Sequence, residues 1–484
     1  MSVSRRDFIG GGTALLSMQA WRLRAAALPD AKSPLRLRFG VLSDIHVDRT
    51  SGDAVTSGDT QTFETALAYF RGRGVDGVVI AGDLAEHGFA EQLKIVGDAW
   101  FRVFPDDRLP NGRKVAKLFV TGNHDQDRRY TPAQQKRYPE KEECLRHTVM
   151  GDPNKAWTEA FHEPYEPIAV KEVKGYRFVL VQWDMCFGVS KVPKWYQAHA
   201  AEFDPKKPFF HIQHPHPKDT CYGPWAWGHD AGFVTKALSA FPNAVAFSGH
   251  SHYSLADERA VWQGAFTSIG TGSLRFAGEP YDMFPGEGFE NTLSDVRCET
   301  DARKLMGRAK PTTAAEQVRS GLVVEVYDDR LVLERRDFNR DAERIGPDWT
   351  VPLPAVDPKP FEFASRAKAS SAPEFLADAR VSVTRGLRKR RNGKVTDAFA
   401  VTFPTVGLTG ARVHHYDVVA TGTDGQTLKV KHVLAPDWAG SPRQAPATAT
   451  CAFAAEDLSA GTEPRFAVRA VNCFGKAGRE ITVK

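Results

Sequence analysis

Six short apolar runs dominate the first half of this chain, and each stops on the same kind of residue. They are LRLRFGVLSD (35–44), VDGVVIAGD (75–83), VAKLFVTGNHD (115–125), YRFVLVQWD (176–184), PFFHIQHPHP (208–217) and NAVAFSGHSH (243–252). Such short apolar runs, rich in Val, Phe and Leu, predict strands covered on both faces. The segments between them read as helices. DTQTFETALAYFRGRG, for example, carries Phe63, Leu67 and Phe70 at helical spacing. Strand and helix in alternation predict an α/β domain. In such domains chemistry collects at the carboxyl ends of the strands, and there this sequence places Asp, Asn and His.

The 484 residues exceed one ordinary domain. The α/β reading extends over 34–351. Within it, 277–315 is polar and rich in Gly and Pro, a long excursion or lid. SGLVVEVYDDRLVLERRDF (320–338) then suggests a hairpin turning on Asp328-Asp329-Arg330. Residues 352–375 are rich in Pro, Ala and Ser and read as a linker. In 376–484 about seven short strand-like runs alternate with turn signals, the pattern of a small all-β sandwich. Its RFAVRAVNCFGKAG resembles the last strands of a fibronectin type III domain.

The first 27 residues have the layout of a secretory signal: Arg5-Arg6, a mildly apolar run from Phe8 to Trp21, and small residues at Ala25-Ala26-Ala27. SRRDFIG resembles the twin-arginine signal, which implies the twin-arginine export machinery as a partner and a periplasmic or secreted location. No other segment is long and apolar enough to predict a membrane span in the mature chain. The net charge is +5, and four arginines against one aspartate in the signal supply most of it. The remainder is no basic patch, so charge indicates no nucleic-acid partner. None of the six cysteines forms a CxxC pair, which disfavours a zinc ribbon. Cys451 and Cys473 are either a disulfide or two buried thiols.

The strand ends together supply Asp44 and His46, Asp83, Asn123 and His124, His214, and His250 and His252. Setting His124 aside, two Asp, one Asn and four His are too many ligands for one ion, which takes about four to six. They suit two ions sharing a carboxylate. Carboxylate with imidazole favours Mn, Fe or Zn over Mg or Ca.

The set D-x-H, G-D, G-N-H-D, H and G-H-x-H, in this order over roughly 36–275, resembles the calcineurin-like metallophosphoesterase superfamily. The resemblance implies a four-layer αββα sandwich and two divalent or trivalent transition-metal ions. It assigns Asp44, His46 and His252 to the first ion, Asp83 to both, and Asn123, His214 and His250 to the second. It implies attack on phosphate by a metal-bridging hydroxide, with His124 as general acid. Glu86, three residues after Asp83, stands where the family often has an Asp that orients that histidine. Asp125 is expected to tie down its loop.

Three further residues are candidates for substrate binding: His216, in HPHP, and Trp225 and Trp227, in CYGPWAWGHD. The aromatics could stack on a flat group or pack their own loop. The final GHxH histidine resembles the small phosphodiesterase branch, which implies a small phosphodiester or monoester as substrate. An alternative is a cell-envelope binding protein, with the β-sandwich docking to a protein or surface polymer and the phosphoesterase fold as scaffold. No HxHxDH or HExxH run points to another metallohydrolase.

Overall fold

The computed structural model describes residues 33–483 except 49–57, 127–129, 187–190, 281–282, 285–287, 291–297, 300, 302–316, 391–392, 441–445 and 459–462. The expected signal at 1–27 and much of the 277–315 excursion lie outside the described residues. Strands β1 (Leu37–Leu42), β2 (Gly77–Ala81) and β3 (Ala116–Val120) are parallel neighbours. Their side chains alternate between two buried layers, as strands covered on both faces must. Leu37, Phe39, Val41, Val79, Leu118 and Val120 face a second sheet. Leu42, Val78, Ile80 and Phe119 face helices. Those helices include α1 (Gly58–Arg73) and α2 (Ala90–Val103). The spacing of Phe63, Leu67 and Phe70 puts them on one stripe of α1, and all three enter that layer. Gly40 has no side chain because the Phe70 ring occupies the place of one.

The second sheet contains β4 (Ile168–Val173), β5 (Tyr176–Val181), β6 (Phe209–Ile212), β7 (Ala244–Ser248), β8 (Val261–Gln263) and β9 (Thr267–Gly270), in the order β4-β5-β6-β7-β9-β8. β5, β6, β7 and β9 run parallel. The two sheets meet on Phe39. Its ring makes edge contacts with Phe178 at 5.3 Å, Phe210 at 5.1 Å and Phe247 at 5.7 Å, the geometry that aromatic quadrupoles favour. The outer face packs Val179 and Val181 against Val192, Tyr196, Val234 and Leu238 of two helices, Lys191–His199 and Phe233–Leu238. The layers therefore run α-β-β-α, as the resemblance implies.

The chain then crosses to the C-terminal region, where it contributes β10 (Cys298–Glu299). It returns as the expected hairpin, β11 (Ser320–Val326) and β12 (Arg330–Asp337), with β11 antiparallel to β1. β13 (Glu343–Arg344) and β14 (Trp349–Pro352) pair with β12. In the stretch read as a linker, Phe361 enters the inter-sheet core, a short helix forms at Phe363–Ala369, and Arg366 pairs with Glu258. This stretch is thus packed onto the α/β domain.

Nine strands follow among the described residues: β15 (Pro373–Glu374), β16 (Ser382–Lys389), β17 (Val395–Pro404), β18 (Thr409–Gly410), β19 (His415–Thr421), β20 (Thr427–Leu434), β21 (Thr448–Ala454), β22 (Arg465–Val471) and β23 (Ile481–Thr482). They form small antiparallel sheets: β10-β16-β17-β21, β20-β19-β22-β23 and the pair β15-β18. Val401, Phe403, Tyr416, Val418, Val433, Phe453 and Val468 share one core there. Cys451 and Cys473 are free thiols, so no bridge between them staples it. No helix of the described residues is long and apolar enough to cross a membrane.

Phe39 is the test of the inter-sheet core. Phe39→Ala removes a fully buried ring contacted by three others, and a loss of about 3–5 kcal/mol is expected in chemical denaturation. A loss near that of a surface substitution would contradict the packing described.

Candidate metal centre

The parallel strands deliver their polar ends to one cleft: Asp44 and His46 after β1, Asp83 after β2, Asn123 and His124 after β3, His214 after β6, and His250 and His252 after β7. The turns that do this are strained. Asp44, His46, Asp83, His250 and His252 all have left-handed φ, between 52° and 73°. Such conformations cost non-glycine residues about 1–3 kcal/mol each and persist where the surroundings over-determine them. Here the first two turns are sewn together. Asp44 N–H donates to the Gly82 carbonyl at 2.9 Å, and His46 N–H to the Asp83 carbonyl at 3.0 Å. The third turn closes on Asp83 only because Gly122 has no Cβ, which would collide with that carboxylate. Asp125 holds the same loop by accepting from the backbone N–H groups of Gly122, Leu84 and Ala85.

The two carboxylates are buried, Asp44 at 0% and Asp83 at 1% exposure. Each has one oxygen pinned by main chain. Asp44 Oδ2 accepts from His250 N–H at 3.2 Å, and Asp83 Oδ1 from His124 N–H at 2.8 Å. The other oxygen turns into the cleft. Asp44 Oδ1 has no hydrogen-bond donor. It faces His252 Nε2 at 3.1 Å, His46 Nε2 at 3.8 Å and His214 Nε2 at 3.9 Å. Asp83 Oδ2 faces His214 Nε2 at 3.1 Å and His46 Nε2 at 3.5 Å.

The imidazole tautomers sharpen the point. His214 Nδ1 lies 2.7 Å from the Ala81 carbonyl. A carbonyl only accepts, so Nδ1 carries the proton and a neutral His214 turns its Nε2 lone pair inward. That lone pair meets Asn123 Oδ1 and His250 Nδ1, each at 3.1 Å. In the same way the Glu86 carboxylate accepts from His46 Nδ1–H at 2.7 Å, and His46 Nε2 faces His252 Nε2 at 3.1 Å. Acceptors that converge without donors repel one another unless positive charge sits among them. Imidazole, carboxylate and amide oxygen are a donor set for transition-metal ions. The residues fall into two such groups, Asp44-His46-His252 and Asp83-His214-His250, joined by a third that contains His46, Asp83 and His124. The donors present therefore fit a pair of ions, with Asp83 reached from both sides.

Protons answer the same demand where no metal is bound. Burial works to lower the His46 imidazole, but Asp44, Glu86 and Asp83 outweigh it and hold it up at about 10. Burial opposes charge on His214 as well, and Asp83 carries it to about 9. Burial raises both carboxyls, yet His252 beside Asp44 and His214 beside Asp83 hold them well below the usual range. Burial and the neighbouring His214 push His250 down to about 3.

The remaining sequence-predicted residues separate. The Glu86 carboxylate reaches His46 first; its other oxygen is 3.7 Å from His124 Nδ1. What holds His124 is the Glu86 main-chain carbonyl, 2.8 Å from Nδ1. Nδ1 is therefore the fixed donor. His216 is 1% exposed, with Nδ1 on Ser248 Oγ at 2.8 Å and Nε2 on Ser251 Oγ at 2.7 Å. It braces the turn after β7 and does not face a substrate, because both nitrogens are already engaged. Trp225 turns toward Arg259, whose guanidinium lies 4.8 Å above its ring, and packs on the inter-sheet core. Trp227 packs on the same core and also reaches the cleft, 5.0 Å from the His250 ring. Two residues at the cleft escape the sequence reading. Trp183 lies 5.4 Å from the His250 ring, and Phe276 lies 4.4 Å from the His252 ring. Neither belongs to a motif that marks a ligand; only the shared strand-end edge pointed to Trp183.

A further group, His415, Asp417 and His432, lies in the C-terminal sheets. Its hydrogen bonds close without an ion. Arg259 Nη2 can only donate, so His414 Nε2, 3.2 Å away, accepts, and His414 Nδ1 carries the proton. That proton points to His415 Nδ1 at 3.0 Å. His415 Nε2–H then faces Asp417 Oδ1 at 3.4 Å, which also accepts from His432 Nδ1 at 2.8 Å. Each acceptor in this run has its donor, and the run ties the C-terminal sheets to the α/β domain.

Residues 37–254 match the calcineurin-like phosphoesterase family. This domain is a calcineurin-like metallophosphoesterase domain. The protein is accordingly a phosphoesterase hydrolase, and its acceptor clusters are candidate sites for divalent metal ions. No curated protein matches the sequence. Among solved structures, a dimetal phosphatase from Danio rerio shares 11% identity over 67% of this chain and 100% of its own, with a TM-score of 0.37. A purple acid phosphatase from yellow lupin (Lupinus luteus) seeds shares 13% over 66% of this chain and 54% of its own, with a TM-score of 0.38. A conserved uncharacterized protein from Streptococcus pneumoniae, a predicted phosphoesterase, shares 14% over 65% and 97%, with a TM-score of 0.26. These likenesses are distant, and no residue role is carried over from them.

Because the Glu86 carboxylate sits behind His46, Glu86→Gln is expected to weaken metal retention about 10–100-fold. Metal content after dialysis against graded chelator measures this. Retention equal to wild type would show that the carboxylate does not support His46.

Proposed function

We propose that this protein hydrolyses phosphate esters of small molecules, a diester or a monoester, with a pair of transition-metal ions of the Mn, Fe or Zn type. Asp44, His46 and His252 hold one ion, Asn123, His214 and His250 the other, and Asp83 both. One observation carries the reading: two buried carboxylates, an amide oxygen and imidazole nitrogens converge on one cleft, and Asp44 Oδ1 there has no hydrogen-bond partner. When bound, such a pair makes hydroxide available near neutral pH and neutralises charge building on the phosphate.

The chain's own residues do the rest. The two turns sewn between β1 and β2 keep Asp44 and Asp83 aimed at the cleft. The Glu86 carbonyl fixes the ring of His124 so that Nε2 can protonate the departing oxygen, and Glu86 does so through its main chain while its carboxylate supports His46. Asp125 anchors the turn that carries Asn123 and His124. The intact set of acceptors counts against an eroded scaffold that serves only as a binding protein. Export by the twin-arginine route to the periplasm is part of the same proposal and rests on Arg5-Arg6 and the apolar run that follows.

Metal analysis should find about two ions per chain. Hydrolysis is expected on at least one of bis-p-nitrophenyl phosphate, p-nitrophenyl phosphate, cyclic AMP and glycerophosphodiesters. Two bound metals with no turnover on any of them would refute the enzyme. His124→Ala should keep both metals and lose about 10²–10⁴-fold on esters with alkyl leaving groups, and much less on aryl esters, whose leaving oxygen needs no proton. Equal losses on the two classes would remove His124 as general acid.

A further inference from the structure

Three aromatic side chains flank the cleft on opposite sides, and none is needed to hold an ion. Phe276 is 42% exposed and its ring lies 4.4 Å from that of His252. Its turn is built on the proposed ligand. Ser273 Oγ accepts from the N–H groups of Arg275 at 2.9 Å and Phe276 at 3.3 Å, and the same oxygen lies 3.2 Å from His252 Nδ1. Held by that turn, the ring keeps exposed surface beside His252 that a flat group entering the cleft would cover. On the far side, Trp183 lies 5.7 Å from His214 and 5.4 Å from His250, and Trp227 lies 5.0 Å from His250. Both tryptophans are half-buried.

These positions relate to the direction of the reaction. His124 stands on the Phe276 side, with its ring 4.6 Å from that of His46, and His46 is 5.0 Å from His252. The leaving group departs beside its proton donor, so it lies on that side. The tryptophans flank the Asp83-His214-His250 group, where a phosphomonoester has no substituent to offer. A diester has one.

We infer that the substrate is a phosphodiester bearing a flat, apolar group on each ester oxygen, with Phe276 seating the leaving group and Trp183 and Trp227 the retained one. This rests on the phosphoesterase reading above. Hydrolysis breaks the P–O bond on the Phe276 side and forms one from a water-derived hydroxide to phosphorus. A proton from His124 goes to the leaving oxygen, the proton shed by the water restores it, and the products are the hydroxyl form of the leaving group and a phosphomonoester still held by the tryptophans.

The test begins with equilibrium binding to the metal-loaded full chain, using phosphinates that cannot be hydrolysed. Diphenylphosphinate should bind about tenfold or more tighter than dimethylphosphinate, and Phe276→Ala or Trp227→Leu should each remove about fivefold or more of that preference. Trp183→Phe and Trp227→Phe should keep it, which separates lost stacking from a damaged fold. In turnover, Phe276→Ala should raise KM for both bis-p-nitrophenyl phosphate and p-nitrophenyl phosphate. Trp183→Leu and Trp227→Leu should raise it for the diester alone. Equal binding of the two phosphinates, or tryptophan variants that move monoester and diester alike, would overturn the inference. A wild-type chain that binds diphenylphosphinate selectively but hydrolyses no ester would instead overturn the phosphoesterase reading and leave this aromatic site standing.

Discussion

Two carboxylates, Asp44 and Asp83, are buried where almost nothing can donate to them. Each is anchored by one oxygen to a backbone N–H of another strand's turn and presents the other to imidazole nitrogens. An isolated buried carboxylate is among the costliest things a fold can hold. Here the cost is offset only by positive charge, supplied by protons on His46 and His214 or by metal ions. The rest of the cleft follows from that need. Each imidazole whose outer nitrogen faces a carbonyl or carboxylate is fixed with its lone pair inward, and the Asn123 amide oxygen completes the set.

Holding such a set takes rigidity, and the two sheets provide it. Phe39 and the aromatic residues around it lock the sheets face to face, and parallel strands of both then end at one edge. Five non-glycine residues in left-handed backbone conformations sit at that edge. The backbone there is strained, and cross-strand hydrogen bonds between the β1 and β2 turns oppose its relaxation. The C-terminal sheets add a further brace. The run from Arg259 through His414 and His415 to Asp417 joins them to the α/β domain, and Ser254 Oγ donates to the Ala439 carbonyl at 2.8 Å. The turn carrying Phe276 also leads toward those sheets, since Phe284 stacks on His432 at 3.7 Å.

Much of this was legible in one dimension because its cause is local. A run such as VAKLFV can only be a strand covered on both faces, and the polar residues that end it can only lie at that strand's edge. The strand ends that carry the seven acceptors and His124 are legible for the same reason, and the fold brings those ends to one cleft. The environment of single side chains was not legible. His216 sits two positions from His214 and is equally polar, yet two serines close over it. Trp225 and Trp227 differ by one intervening residue, and only one faces the cleft. Glu86 reads as the carboxylate that orients His124, but its carboxylate meets His46 and its main-chain carbonyl meets His124.

The alternation of strand and helix, the strand ends that carry Asp, Asn and His, and the resulting need for cations are written in the order of residues. Those are properties of short windows, where hydrophobic period and residue chemistry act directly. Which nitrogen of an imidazole faces inward, which oxygen of each carboxylate turns into the cleft, and which aromatics reach it are set by the folded molecule. These depend on partners far away in the chain: Ala81 for His214, Ser273 for His252, and a whole sheet for Phe39. A side chain's orientation is chosen by the hydrogen bonds and packing that meet it, and they exist only once the sheets have come together.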